Sequence, residues 1–227
     1  MMVVASFVLA GCGRDARPTS PAGKDSGGAS PPAGPKLLLI GTSLTVGYGL
    51  DPRNAWPAHL QRKIDSAGFG FQVVNAGVSG ETSADAAHRI DWLLSSGTPA
   101  LVMVETGAND ALRGQPVDSI RVNLDTILAR LERLRPRPLI VVAGMEALPN
   151  LGREYGRQFR AMFVSVARAH HTVYLPFLLA GVAGVDSLNQ ADGIHPNERG
   201  SVIVANNVWA TLRPILDSMK RATRARL

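Results

Sequence analysis

Short apolar runs recur along the chain, spaced so that a helix fits between each and the next. Lys36-Leu37-Leu38-Leu39-Ile40 stops at Gly41, and Phe71–Asn75, Ala100–Val104, Pro138–Val142 and the shorter Thr172–Leu175 repeat the theme. Runs of this length without strict alternation predict strands buried on both faces, as in a parallel sheet. The period then changes. Val117, Ile120, Leu124, Ile127, Leu128, Leu131 and Leu134 step mostly by three or four residues, as do Tyr155, Phe159, Met162, Phe163 and Val166, which predicts amphipathic helices. A last stripe follows Pro196, from Val202 and Ile203 through Val208, Trp209, Leu212, Ile215 and Leu216. Strands alternating with helices imply right-handed crossovers and an α/β class. The expected architecture is a three-layer α/β/α sandwich around a mostly parallel five-stranded sheet.

Ligands of such sheets bind beyond the carboxyl ends of the strands. Residues able to do chemistry should therefore fall just after the apolar runs. Ser43 follows the first, Gly77–Thr82 the second, Gly107–Asp110 the third, and Asp192 and His195 come after the fifth. A serine hydroxyl is a weak nucleophile until a base takes its proton, and that base needs a third group to orient it. In Asp192-Gly193-Ile194-His195-Pro196 an acid stands three residues before an imidazole, close enough to hold one ring nitrogen while the other points away. Gly193 permits an unusual backbone angle, and Pro196 suits a helix start. Taken alone, such a pair is more often a surface turn. His59 and His88 fall inside helical patterns and His170 and His171 close one, where structural roles suit them. The glycine loop at 77–82 and the Asn109 amide can donate to an oxyanion, although each is also an ordinary turn.

Composition bounds the rest. The 227 residues suit one domain plus a short tail, and 45% hydrophobic with 19% charged content excludes disorder over most of the length. The only cysteine is Cys12, so no internal disulfide forms. It closes an apolar start, Met1–Ala10, followed by Gly11. Residues 1–12 resemble a lipoprotein-type signal whose cysteine is acylated, although no Lys or Arg precedes the apolar stretch. Residues 13–35, rich in Gly, Pro, Ser and Ala, read as a flexible tether. Residues 36–219 form the expected catalytic domain and 220–227 a basic tail. The formal charge is +6, but no zinc-finger spacing or interleaving of basic and aromatic residues points to nucleic acid. A membrane-anchored protein of the cell envelope, facing the periplasm or exterior, is the expected setting.

The joint arrangement resembles the GDSL/SGNH hydrolase superfamily, in its bacterial arylesterase, thioesterase and lysophospholipase branch. Gly41-Thr42-Ser43-Leu44 is similar to the Gly-Asp-Ser-Leu block, Asn75–Ser83 to the block that supplies a glycine, and Gly107-Ala108-Asn109-Asp110 to the Gly-x-Asn-Asp block. Asp192–Pro196 matches the last block, and Ala55–Ala58 and Leu112-Arg113-Gly114 add to the likeness. The resemblance implies Ser43 as nucleophile, His195 as base and Asp192 as its orienting acid. It implies an oxyanion hole from Ser43, Gly80 and Asn109, and an acyl groove bordered by Met145, Leu148 and Pro149. It also implies short to medium acyl esters, aryl esters or lysophospholipids as substrates, no cofactor or metal, and a monomer. Two departures stand out: Thr42 replaces the aspartate of the first block and Ala108 a glycine of the third. Carbohydrate O-acetyl ester hydrolysis and a noncatalytic surface-binding lipoprotein are the alternatives. A flavodoxin-like phosphate loop at Gly41–Gly47 would leave Asp192 and His195 without a use.

Overall fold

The computed structural model describes residues 34–224. The expected signal segment with Cys12, and the tether up to residue 33, lie outside the described residues, as does the basic tail beyond residue 224.

All five apolar runs are strands. In chain order the elements are β1 (Lys36–Gly41), α1 (Ser43–Val46), α2 (Trp56–Ser66), β2 (Gln72–Gly77), α3 (Ser83–Leu94), β3 (Leu101–Val104), α4 (Ala108–Leu112), α5 (Val117–Glu132), β4 (Leu139–Ala143), α6 (Arg153–Ala169), β5 (Val173–Leu175) and α7 (Glu198–Arg224). The strands are parallel throughout and lie in the order β2-β1-β3-β4-β5. Leu37–Ile40 and Leu101–Val104 are buried along their whole length, whereas edge strand β2 is only partly covered.

The strand order dictates where the helices go. The chain steps from β1 out to β2 in one direction, then runs from β2 past β1 to β3, β4 and β5 in the other. Right-handed crossovers place the connecting helix on one face for the first step and on the opposite face for the later ones. Accordingly α2 packs with α7, while α5 packs between α3 and α6, giving the three layers. The reversal between β1 and β3 leaves a crevice at their carboxyl ends. Helix α7 passes through residue 219 to Arg224, so the first basic residues of the expected tail are helical. Lys220 donates to Gly68 O at 2.9 Å and lies 5.3 Å from the centre of the Phe69 ring.

Candidate active site

Ser43 owes its position to what β1 becomes when it ends. Thr42 leaves the strand in an extended conformation and caps α1, its hydroxyl accepting from Leu44 N at 3.4 Å. Ser43 is thus the first residue of a four-residue helix that closes at Gly47. The opening N–H groups of a helix have no carbonyl within it to bond, so that of Ser43 is available to another acceptor.

Beneath this corner lies Glu105, the residue that follows β3 and is 1% exposed. Its Oε2 accepts from Thr42 N at 2.8 Å and Thr45 Oγ1 at 2.8 Å, and its Oε1 accepts from Thr42 Oγ1 at 2.9 Å. Burial pushes the carboxyl above its usual range, against the pull of these donors. The Thr42 that stands where the resemblance leads one to expect aspartate therefore costs the loop no support. A threonine hydroxyl can donate to a buried carboxylate, and Glu105 supplies one. Motif matching missed Glu105, yet it closes the wholly apolar run Leu101–Val104, where strand-end chemistry is expected.

The acid and base sit on a tighter and more exposed piece of chain. Asp192 Oδ1 accepts from Ile194 N and His195 N, both at 3.0 Å, and its Oδ2 faces His195 Nδ1 at 2.7 Å. Gly193 allows the turn by taking φ 74. Burial acts to raise the Asp192 carboxyl, but hydrogen bonds from the His195 backbone and ring and from Ile194 outweigh it and hold the carboxyl at about 2. An ionised carboxylate can only accept, so Nδ1 carries the proton and the Nε2 lone pair is free. That nitrogen lies 2.8 Å from Ser43 Oγ, across 152 residues of sequence.

Two further residues connect these halves, neither singled out by motif. The Tyr48 ring stands 4.8 Å from that of His195, tilted by 41°. Gln190 donates from Nε2 to Tyr48 O at 2.7 Å and to Pro196 O at 3.0 Å, joining the Asp192–His195 turn to the end of the Ser43 corner.

Ser43, Gly80, Asn109, Asp192 and His195 all line one cavity of about 650 Å³. Gly80 takes φ 78, and the loop around it is anchored by Glu81, which pairs with Arg89, whose guanidinium also donates to Ala76 O at 2.7 Å. Asn109 Nδ2 donates to Glu81 O at 2.9 Å, and an amide nitrogen keeps a second hydrogen for another acceptor. The adjoining Asp110 is buried and takes Ser83 N at 2.8 Å and Ser83 Oγ at 2.7 Å, tying the start of α3 to α4. Met145, Leu148 and Pro149 line the same cavity, together with Leu112, Phe177 and Leu179. None of His59, His88, His170 and His171 does. His170 instead lies between Asp125 and Glu132, 3.2 and 3.4 Å away. Among the described residues no group of three or more His, Cys, Asp or Glu could hold a metal ion.

The model of the GDSL-like Lipase/Acylhydrolase family matches residues 39–203, which span every element just described from β1 into α7. The chain belongs to that family. It is 38% identical over 182 residues to the esterase TesA of Pseudomonas aeruginosa, covering 79% of this chain and 89% of that protein. It is 34% identical over 181 residues to thioesterase 1/protease 1/lysophospholipase L1 of Escherichia coli, covering 80% and 85%. Among solved structures, the psychrotrophic esterase EstA from Pseudoalteromonas sp., inhibited by monoethylphosphonate, superposes with a TM-score of 0.76 at 29% identity. That likeness covers 80% of this chain and 98% of EstA. The family and these relatives make the chain a carboxylic ester hydrolase of the esterase and thioesterase kind.

Proposed function

We propose that the chain hydrolyses esters with Ser43 as nucleophile, His195 as general base and Asp192 as the carboxylate that orients it. The observation that carries this reading is the unbroken line from Asp192 Oδ2 through the imidazole to Ser43 Oγ, at 2.7 and 2.8 Å. Ser43 Oγ attacks the carbonyl carbon as its proton passes to His195 Nε2, and the carbonyl π electrons move onto oxygen. The oxyanion is met by the N–H groups of Ser43 and Gly80 and by the Asn109 amide, where each donor contributes roughly 3 kcal/mol to the transition state. Collapse expels the alcohol, which takes the imidazolium proton and leaves an acyl-serine. Water, deprotonated by the same nitrogen, then attacks the acyl carbon, and as the bond to Ser43 Oγ breaks that oxygen takes the proton back from the imidazolium and the acid is released. Asp192 stays ionised throughout and stabilises the imidazolium.

The apolar wall of Leu112, Met145, Leu148, Phe177 and Leu179 favours a substrate whose acyl or aryl part is hydrocarbon. Short to medium acyl esters, aryl esters and lysophospholipids fit that description better than acetylated sugars. Anchorage in the cell envelope through an acylated Cys12 belongs to the same proposal and rests on the pattern of residues 1–35.

A fluorophosphonate probe tests the chemistry, because it forms a stable tetrahedral adduct only with an activated serine. Labelling is expected at Ser43 and lost in Ser43→Ala, and adduct formation elsewhere would overturn the assignment. A chain-length series of p-nitrophenyl esters then reads the acyl preference. Cys12→Ser is expected to shift the protein out of the membrane fraction while leaving hydrolysis intact, and unchanged fractionation would remove the anchor.

A further inference from the structure

The exposed apolar side chains are not scattered. Ten large hydrophobic residues are exposed among the described residues, and four of them, Tyr48, Leu112, Leu148 and Ile194, line the cavity that holds Ser43. Three more stand next to lining positions: Val46 two residues before Tyr48, Val78 beside Ser79, and Val185 beside Gly184. Only Trp92, Val122 and Val202 have no lining residue within two positions in sequence. Apart from Val46 and Tyr48, which share one corner, these seven come from separate segments, so no single amphipathic element accounts for the clustering. An apolar patch gathered on one face of a domain marks an interaction surface.

What covers such a ring is constrained by what lies inside it. A protein partner or second copy seated there would close the cavity and stop turnover. A fluid lipid surface would cover the ring and also deliver ester into it. A cation stands at the mouth as well, since Arg113 follows Leu112 and donates to Gly80 O at 3.0 Å, alongside the carboxylates of Glu146 and Asp192 in the lining. The chain preceding the described residues can also reach. It joins the domain at Gly34, packed against Gly70 at the amino ends of β1 and β2, away from the cavity. The 21 residues between Cys12 and Gly34 span at most roughly 75 Å, against roughly 40 Å across a domain of this size.

We propose that the apolar ring around the cavity mouth docks on an anionic phospholipid surface, from which lipid-borne esters enter without crossing water. This rests on the ester hydrolase reading above, and the test separates the two. Hydrolysis of p-nitrophenyl butyrate in water is compared with that of p-nitrophenyl dodecanoate held in phosphatidylglycerol/phosphatidylcholine vesicles. The full chain is used in a Cys12→Ser background, with sedimentation of protein with the vesicles measured alongside. Val78→Asp/Val185→Asp is expected to lower the ratio of vesicle rate to soluble rate at least tenfold and to reduce sedimentation, with circular dichroism unchanged. Trp92→Asp, off the ring, is expected to change neither. The N-terminal segment is common to all three proteins, so its own affinity for lipid cancels. An unchanged ratio in the double variant, or an equal fall in Trp92→Asp, overturns the docking surface. So does a concentration-dependent dimer that the double variant dissociates, which would assign the ring to a second copy. A parent protein inactive on both esters would instead overturn the hydrolase reading, and ring-dependent sedimentation would still support docking.

Discussion

The two halves of the proposed catalytic line are built in opposite ways. Ser43 stands on a corner whose support is remote in sequence and buried: Glu105, some 60 residues away, collects three donors from Thr42 and Thr45. His195 stands on a turn whose support is local and open to water, with both partners of its ring and backbone supplied by Asp192 three residues earlier. The Asp192 side chain is 38% exposed, whereas Glu105 is 1% exposed. A remote, buried support can be lost only by disturbing the core. A local, exposed one can be partly replaced by water. Damage to the two halves should therefore differ in kind as well as in size.

The largest effect is expected for the reacting groups themselves. Ser43→Ala and His195→Ala should each lower kcat by about 10⁴-fold or more, and the double variant should be scarcely worse, because the groups act as a unit. Additive losses in single-turnover kinetics would break the proposed line. Glu105→Ala comes next and should reach both function and fold. It leaves the Thr42 N–H and two hydroxyls without a partner, at a cost of about 3 kcal/mol, readable by urea unfolding. Glu105→Gln sharpens the point through pH. A carboxyl raised by burial binds its proton in the folded state at pH values where the unfolded chain has released it. Stability from this group thus falls as pH rises from the unfolded value of about 4.3 toward the raised folded value. In Glu105→Gln that fall should vanish, and an unchanged stability profile would show that Glu105 does not titrate in this way.

Asp192→Asn should be milder, roughly a hundredfold less damaging to kcat than Ser43→Ala, since the exposed turn lets water stand in for part of the carboxylate. Its pH signature runs the other way. The carboxyl is held at about 2, so its contribution to stability is complete above the unfolded value and disappears as pH falls through about 2. The smallest effect belongs to Gln190→Ala, which removes the bond to Tyr48 O between the halves. A loss of a few-fold in kcat with KM unchanged is expected, and a change in KM alone would place Gln190 in binding instead.

Sequence and structure agree most closely where one force dominates. The buried strands were legible because an apolar run between glycines has few other uses, and the positions of Ser43, Asn109 and His195 followed from the rule that chemistry gathers at strand ends. Glu105 was not legible in that way. A carboxylate in a core is meaningful only through its partners, and Thr42 and Thr45 reach it by folding β1 beside β3. Tyr48 and Gln190 were hidden for the same reason, since Gln190 gains its role from a carbonyl 142 residues earlier in the chain. The true end of α7 escaped too, because the apolar stripe stops near Leu216 while charged residues, which also favour helix, carry the element to Arg224.

Strand β1 carries a mechanical consequence. Any tension in the segment ahead of Pro35 enters the domain at Lys36 and runs along a strand bonded on both sides, to β2 and to β3. Pulled along its axis, such a strand loads its cross-strand bonds in shear, and they must yield together. An edge strand peeled from its end loses them one at a time. The domain would thus take a tug from its amino-terminal side on a strand held from both sides, two residues short of Ser43.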